Sequence, residues 1–266
     1  MPRRHASRTV ILIAAASLAC GGNSPVVWEQ TRSVQPAGSS VAILATGAVT
    51  TDSLAMLASR IVLPVAACPR SVRLAASAGK LFAAWWSART DSTALLLSAV
   101  STDSGRTWGK PASVDSTDHG ASGCTRMPPS IAADAASGYV HVTYAMQATE
   151  GPGLFFAHSM DGGVTFHAPV PILYGERLGA TSVAASGDEV AVAFEDPGSR
   201  TPRIGLALSS TMGHIFEHRV LPVSDDNSSA TQPLVAVSGH RIAVAWRERP
   251  ATNGPVVLRI RTGSLP

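Results

Sequence analysis

The chain has 266 residues, of which 45% are hydrophobic and 5% aromatic, and its 21 basic residues exceed its 18 acidic ones by three. This length and composition allow one large or two small domains with a packed core. The excess positive charge lies at the start, because Arg3, Arg4 and Arg8 precede Cys20 and no acidic residue occurs before Glu29. The remainder carries 18 basic and 18 acidic residues. This balance argues against a basic nucleic-acid-binding surface, and no nucleic-acid partner is expected.

The first 19 residues have the layout of an export signal. A cationic start is followed by an apolar run from Val10 to Ala19, which is short for a membrane-spanning helix. Ser17–Cys20 resembles a lipobox, the motif in which cleavage before a cysteine accompanies its lipidation. We therefore predict a lipoprotein signal peptide over 1–19, a lipid on Cys20 as the sole membrane contact, a flexible tether over 20–40 and a place in the bacterial cell envelope. The alternative is an ordinary cleaved signal in which Cys20 is incidental.

One pattern recurs further along the chain. Residues 101–108 and 159–166 share the order S-x-D-x-G-x-T-aromatic, and 209–216 keep its Ser, Gly and aromatic residue. An Asp at the start of a turn accepts backbone N–H groups, Gly supplies a positive φ, and the aromatic ring packs between sheets. The pattern therefore predicts three similar turns. The shared positions of the two full copies are Ser101, Asp103, Gly105, Trp108, Ser159, Asp161, Gly163 and Phe166.

Short strands are predicted on both sides of these turns. Each turn follows an apolar run such as Leu154–Ala157 and precedes another such as Val220–Val223, and two alternating segments joined by a Gly turn lie before it. Four antiparallel strands in each repeat are typical of a propeller blade. We therefore predict an all-β protein, a β-propeller over 41–266, with four clear units and five or six as further possibilities.

The last unit shows only three predicted strands and ends at Val256–Thr262. Ile61–Val65 contains the same Val-Leu-Pro-Val order as Val220–Val223, which predicts that it supplies the missing outer strand and closes the first blade on the last. Val41–Thr46 is a further candidate strand, and Ser53–Ala58 is a candidate short helix.

The repeated turns resemble the Asp boxes of BNR repeats, and their spacing resembles that of sialidase-like β-propellers. In that family the box is structural and lies on the face opposite the active site, which implies a fold-stabilising role for Asp103 and Asp161. The segment Arg126–Ile131 also resembles the arginine-isoleucine-proline signature of sialidases with one proline inserted. This second resemblance implies that Arg126 contacts the carboxylate of a sialic acid.

Four arginines are candidate ligand contacts on the upper face, which we define as the face opposite the repeated turns. Arg70, Arg126 and Arg177 occupy matching loops that lead into the first strands of successive units, and Arg247 follows a second strand. Guanidinium groups suit carboxylate or sulfate recognition, so a glycan or protein ligand is the expected partner. In the alternative interpretation these arginines pair with acids of the same loops and only solubilise the rim.

A retaining sialidase requires a tyrosine nucleophile activated by a glutamate. Tyr174 with Glu176 is the candidate catalytic pair, because Tyr139 and Tyr144 lie in a predicted strand. Three functions follow: a non-catalytic surface module that binds a glycan or protein, which we favour; a divergent exo-sialidase that cleaves terminal sialic acid; and a structural scaffold of the envelope.

Cys68 and Cys124 occupy equivalent loops of adjacent predicted blades. We predict that they form a disulfide, since export supplies an oxidising compartment; two buried thiols are the alternative. The histidines show no metal-binding spacing and no glycine-rich phosphate loop occurs, so neither a metal nor a cofactor is expected.

Overall fold

The protein is seen in a computed structural model that describes residues 24–34, 67–226, 228–250 and 254–265. These residues form almost entirely antiparallel sheet, with two short 3-10 turns at Pro69–Ser71 and Gly123–Thr125. No helix in the described ranges is long and apolar enough to cross a membrane. The strands are β1 Val27–Trp28, β2 Arg32–Val34, β3 Arg73–Ser77, β4 Lys80–Ala88, β5 Ala94–Ser101, β6 Ala112–Asp115, β7 Ser130–Ala133, β8 Val140–Ala148, β9 Gly151–Ser159, β10 Val170–Tyr174, β11 Thr181–Ser186, β12 Glu189–Glu195, β13 Ile204–Ser209, β14 His218–Pro222, β15 Ser228–Ser238, β16 Arg241–Pro250 and β17 Val257–Ser264.

The strands are arranged as the blades of a β-propeller, which confirms the predicted fold class. Three sheets contain four consecutive strands each, β3 to β6, β7 to β10 and β11 to β14, and a fourth sheet contains β15, β16 and β17. The middle strands are buried on both faces, as in β8 and β13, because each blade packs between two neighbours. The first strands are innermost: β7 contacts β3 and β11, and β11 contacts β15.

The outer edge of the fourth blade is supplied by the N-terminal part of the chain. Val27 and Trp28 pair with Ser264 and Gly263, and β2 pairs with the first half of β17. Glycine fits at position 263, since a Cβ there would lie 2.7 Å from Val26 Cγ1 and 3.0 Å from the Val27 carbonyl oxygen.

Residues 27–34 belong to the segment expected to be a flexible tether, yet here they form hydrogen-bonded strands. They occupy the edge position that Ile61–Val65 was predicted to take. That segment, the candidate strand at 41–46, the candidate helix at 53–58 and the whole signal region with Cys20 lie outside the described residues.

The repeated turns join the third and fourth strands of their blades. In the first, Gly105 N–H donates to Ser101 Oγ at 2.8 Å, and Thr107 donates to Asp103 from its backbone N–H at 2.9 Å and its hydroxyl at 2.6 Å. The hydrogen bond from the Thr107 hydroxyl is the main cause that lowers the pKa of Asp103 to about 2. Ser159, Asp161 and Thr165 repeat these contacts in the second turn.

The third turn keeps the same shape without an aspartate. Gly213 N–H donates to Ser209 Oγ at 3.1 Å, and Ile215 N–H donates to Thr211 Oγ1 at 3.0 Å. The Thr211 hydroxyl therefore replaces one of the acceptor contacts that a carboxylate makes in the other two turns. A single hydroxyl accepts fewer hydrogen bonds than a carboxylate, but here it still accepts the Ile215 N–H of the turn.

Serine hydroxyls connect the inner strands of neighbouring blades. Ser130 Oγ on β7 accepts the Val183 N–H of β11 at 3.1 Å, and Ser182 Oγ on β11 accepts the Val235 N–H of β15 at 3.1 Å. At the other end of the strands, Gly239 N–H donates to Ser186 Oγ at 3.1 Å. These bonds satisfy backbone groups that have no sheet partner on the axial side, and they fix the spacing of the second, third and fourth blades.

The predicted disulfide is formed between Cys68 and Cys124, whose Cα atoms lie 5.2 Å apart. It joins the loop before β3 to the loop before β7 and so connects the first two blades. The two cysteines are separated by 56 positions in the chain, and the chain-entropy model gives such a closure about 4 kcal/mol of stabilisation.

Four histidines meet between the second and third blades, at the end that carries the repeated turns. The His158 ring lies 4.8 Å from that of His167 and 4.6 Å from that of His214, and His141 lies beside them at 6.5 Å from His158. Neither ring nitrogen of His141 has a hydrogen-bond partner among the described residues. Burial, followed by repulsion between neighbouring histidines, lowers the pKa of His141 and of His158 to about 4, although the Asp134 carboxylate partly opposes this for His141.

We predict that acid destabilises the fold through these histidines. The unfolded chain, with histidine pKa values near 6.5, takes up protons before the folded chain does, so stability is complete above about pH 6.5 and falls towards pH 4. The drop in melting temperature between pH 7.5 and pH 5 is expected to shrink in His141→Phe and to remain unchanged in His240→Gln, which alters an exposed turn. A drop in melting temperature for His141→Phe equal to that of the wild-type protein would show that His141 does not contribute to the acid sensitivity.

Candidate functional site

A cavity of about 890 Å³ opens at the end of the propeller where the inner strands begin. Residues from all four described blades line it. Four equivalent positions contribute, each two residues before an alanine of its inner strand: Arg73, Ser130, Ser182 and Leu234. They come together because the first strand of each blade starts at the same end of the axis. The repeated turns lie at the opposite end, so this cavity is on the predicted upper face.

The side chains of the four equivalent residues differ in their contacts and exposure. The Ser130 and Ser182 hydroxyls accept the blade-to-blade hydrogen bonds described above. Arg73 is exposed, and Leu234 is 68% exposed. The cavity therefore presents a guanidinium from the first blade and an apolar side chain from the fourth. Further apolar wall comes from Met127, Pro128, Pro129, Pro233 and Leu258.

A hydrogen-bonded chain of three polar residues forms one side of the cavity. Glu195 Oε1 accepts the Gln232 N–H at 2.9 Å, and Arg247 Nη1 donates to the Gln232 side-chain oxygen at 3.0 Å. Gln232 has φ = +55°, within a bulge between Thr231 and Leu234. A left-handed glutamine is unfavourable by itself, and the Glu195 carboxylate compensates by holding its N–H. Arg247 is thereby positioned at the cavity rim.

Backbone contacts position the remaining charged groups. Arg73 Nη1 donates to the Val72 carbonyl at 2.8 Å and to the Arg70 carbonyl at 3.3 Å. A Cβ at Gly179 would lie 2.6 Å from Glu195 Cβ, so only glycine allows the chain to press against this glutamate. Among the described residues, neither Arg73 nor Arg247 forms an ion pair. Both guanidinium groups therefore retain N–H donors for a ligand.

The predicted ligand contacts are distributed over different environments. Arg247 lines the cavity, but it lies within the second strand β16 rather than after it, because this strand continues to Pro250. Arg70 lies exposed in the 3-10 turn before β3, outside the cavity lining, and contributes its carbonyl to Arg73. Arg177 is exposed in the loop before β11, where its Nη1 donates to the Arg200 carbonyl. Only one of the four predicted arginines is therefore among the cavity-lining residues.

Arg126 is a structural residue rather than an open ligand contact. Its guanidinium forms an ion pair with Asp118, donates to the carbonyls of Ser92, Gly120 and Gly123, and lies 5.8 Å from the Trp86 ring. The side chain is only 5% exposed. Pairing with a loop acid is the alternative that the sequence left open, and in this residue the pairing connects the loop before β7 to the first blade.

The candidate catalytic pair does not reach the cavity. Tyr174 is the last residue of the outer strand β10, opposite Gly153, and packs edge-to-face on Phe155 at 5.9 Å. Glu176 follows in an exposed loop. Tyr144 is fully buried, and its hydroxyl donates to Asp115 at 2.5 Å; burial and the Asp115 charge raise its pKa well above 10. Tyr139 stacks on His158. None of the three tyrosines is among the described residues that line the axial cavity.

Sequence reasoning missed Arg73 and Gln232. A signal for Arg73 exists, since it stands two residues before the pair Ala75-Ala76, as Ser130 and Ser182 stand two residues before their own alanine pairs. Aligning the repeats on these pairs therefore predicts that Arg73 lies at the cavity. Gln232 has no such signal, because its position depends on a bulge that the first and third blades do not share in their inner strands.

Comparison with known proteins adds information about the fold. No protein-family model matches the chain, and no curated protein matches its sequence. Among solved structures, the Hadza microbial sialidase Hz136 is similar with a TM-score of 0.50 and 20% identity over 71% of this chain and 43% of that one. A protein of unknown function from Dyadobacter fermentans DSM 18053 is similar with a TM-score of 0.52 and 15% identity over 71% of this chain and 51% of that one. The chain spans about half of these proteins, and the likeness is one of fold.

We predict that removing two of the arginines changes the free energy of unfolding by very different amounts. Arg126→Ala leaves the buried Asp118 carboxylate unpaired, which is expected to lower the free energy of unfolding by about 3 kcal/mol. Arg247→Ala removes an exposed side chain and is expected to change it by less than about 0.5 kcal/mol. Urea denaturation of the two variants measures both values. A wild-type midpoint for Arg126→Ala would show that its contacts do not stabilise the fold.

Proposed function

We propose that this protein is an exported surface module that binds a glycan in the axial cavity without cleaving it. The observation that carries the proposal is that Arg73 and Arg247, two guanidinium groups without an ion pair among the described residues, line a cavity that also has apolar lining residues. Its volume is in the range of small-ligand sites, which combine apolar walls with a few polar groups. The fold likeness to a protein named as a sialidase supports a glycan rather than a protein as ligand.

The residues favour an acidic sugar. Arg73 and Arg247 offer N–H donors to a carboxylate or sulfate, while Glu195 accepts from sugar hydroxyls. Leu234, Leu258 and the prolines contact the apolar face of a sugar ring. Arg70 and Arg177 remain rim residues in this proposal, whereas Arg126 contributes by holding the loop between the first two blades.

The acidic residues of the cavity support binding without hydrolysis. Glycosidases of both stereochemical classes use a pair of carboxyl groups, or a nucleophile with its own activating base. Glu195 is the single carboxylate among the described residues that line the cavity, and one of its oxygens accepts the Gln232 N–H. Tyr174 and Glu176 lie elsewhere. This supports a binding module over the exo-sialidase.

A glycan array containing sialylated, uronate-containing, sulfated and neutral oligosaccharides tests this function. Acidic glycans are expected to bind, and Arg73→Ala or Arg247→Ala is expected to weaken binding about tenfold or more, because a hydrogen bond to a charged group contributes about 1.5–3 kcal/mol. Arg106→Ala, at the opposite end of the propeller, is the matched control. Unchanged binding by both cavity variants, or no binding to any glycan, would overturn the proposal; turnover of a fluorogenic sialoside would replace it with hydrolysis.

We assign the repeated turns to the Asp-box type, with a structural role for Asp103 and Asp161. Two observations support the assignment. Both carboxylates are saturated by backbone and hydroxyl donors of their own turn, and both turns lie at the end of the propeller opposite the cavity. Neither residue therefore belongs to the proposed binding site.

We further propose that the protein is held at a membrane of the bacterial envelope by a lipid on Cys20. The order of charged, apolar and small residues before Cys20 supports this, and the disulfide fits an oxidising compartment. Growth with a clickable palmitate analogue is expected to label the wild-type protein and not Cys20→Ala. Equal labelling of both would exclude this anchor.

A further inference from the structure

A second cavity lies apart from the axial one, between the outer strand of the third blade and the fourth blade. It has a volume of about 890 Å³. One wall is β14 and the loop that follows it, and the other consists of β17, the end of β16 and the N-terminal strand β1. We call it the lateral groove. The structure assigns this groove as a separate binding site for a neutral, hydroxyl-rich glycan segment.

Polar atoms around the groove lack hydrogen-bond partners among the described residues. Ser228 is only 8% exposed and lines the groove, and its hydroxyl has no hydrogen-bond partner among the described residues. Arg261 donates from Nη1 to the Val223 carbonyl at 3.0 Å, but its buried Nε–H is unpaired there. Buried polar groups are normally satisfied, so a hydroxyl without a partner beside an open groove indicates that a ligand or water completes it.

The balance of charge around the groove selects the chemistry of the ligand. Glu248 accepts from Arg259 Nε at 2.9 Å and from Trp246 Nε1 at 3.1 Å, and Asp226 pairs with Arg203 at 2.7 Å. The remaining cation, Arg261, is opposed by Asp225. Counting Arg203, which pairs with Asp226 but does not itself line the groove, three positive groups meet the three carboxylates of the lining. A charged ligand gains nothing from such a groove, in contrast to the axial cavity with its two arginines and one glutamate.

The groove combines hydrogen-bond donors and acceptors with apolar walls. The Asp225 carboxylate accepts hydrogen bonds, the Ser228 hydroxyl both donates and accepts, and both line the groove. Sugar hydroxyls match this mixture because each one also donates and accepts. Apolar surface comes from Trp28, whose ring is held under Arg261 at 4.8 Å, and from Pro25, Leu221, Pro222 and Pro250. An aromatic ring beside a few placed polar groups suits the alternating polar and apolar surface of a pyranose.

The tryptophan indole signals of the full mature protein provide a direct test. Five tryptophans give five indole N–H signals in a ¹H–¹⁵N spectrum, and Trp28→Phe identifies that of Trp28. Neutral probes are cellohexaose, xylohexaose and mannohexaose, and 3′-sialyllactose is the acidic comparison. At least one neutral probe is expected to shift the Trp28 signal. Asp225→Asn and Ser228→Ala are expected to weaken that binding about tenfold, whereas Asp188→Asn, an exposed change at the opposite end of the third blade, leaves it unchanged.

The controls separate this site from the axial cavity. The Trp28 shift is expected to persist in Arg73→Ala and Arg247→Ala, so a failed axial site does not decide the outcome here. Loss of the shift in those variants would show that a single site produces it and would overturn the proposal. No shift with any neutral probe at millimolar concentration, or a shift produced only by decaproline, would also overturn it, the latter in favour of a peptide. Asp225 is exposed, so Asp225→Asn remains informative if Ser228→Ala perturbs folding.

Discussion

The arrangement depends on hydrogen bonds that cross from one blade to the next near the axis. Inner strands of a propeller have backbone N–H groups that their own sheet does not satisfy, and in this protein serine hydroxyls of the preceding blade accept them. This interaction fixes the second, third and fourth blades relative to one another. It also defines the axial cavity, because the first and last equivalents of these serines are Arg73 and Leu234, whose side chains face open space rather than a neighbouring strand. The axial cavity, which is the proposed binding site, thus forms where the serine pattern ends.

The arginines near this end of the propeller have different roles because their surroundings differ. Arg126 is nearly buried beside Asp118 and stabilises the connection between two blades that the disulfide also joins. Arg73 and Arg247 have no acidic partner among the described residues and point a charge into a cavity. Burial converts a guanidinium into a structural element, since its charge then requires compensation within the protein. Exposure at a concave surface leaves the same group available for a ligand.

The N-terminal strands supply an outer edge of the fourth blade that the repeats alone do not provide. By pairing with β17, residues 27–34 complete the fourth blade and place Trp28 in the wall of the lateral groove. The two concave surfaces differ in charge: two arginines and one glutamate line the axial cavity, whereas two arginines and three carboxylates line the lateral groove, where Arg203 from outside the lining pairs with Asp226. Such a difference favours distinct ligands at the two places, or distinct parts of one polysaccharide.

The sequence by itself determined the local features: alternating strands, the turns built on Ser101 and Ser159 and the number of strands in each repeat. It also favoured a disulfide between Cys68 and Cys124 over two buried thiols, and the structure contains that disulfide. These follow from contacts within a few residues or from equivalent positions in a repeat. Only the tertiary structure decided that Arg126 is buried, that Tyr174 lies on an outer strand, and that Gln232 and Glu195 meet at the axis. These facts depend on how blades pack and where one strand bulges. Burial decides such positions, and in some cases so do partners that are distant in the chain, as in the 37-residue separation of Glu195 and Gln232, and local pattern does not encode them.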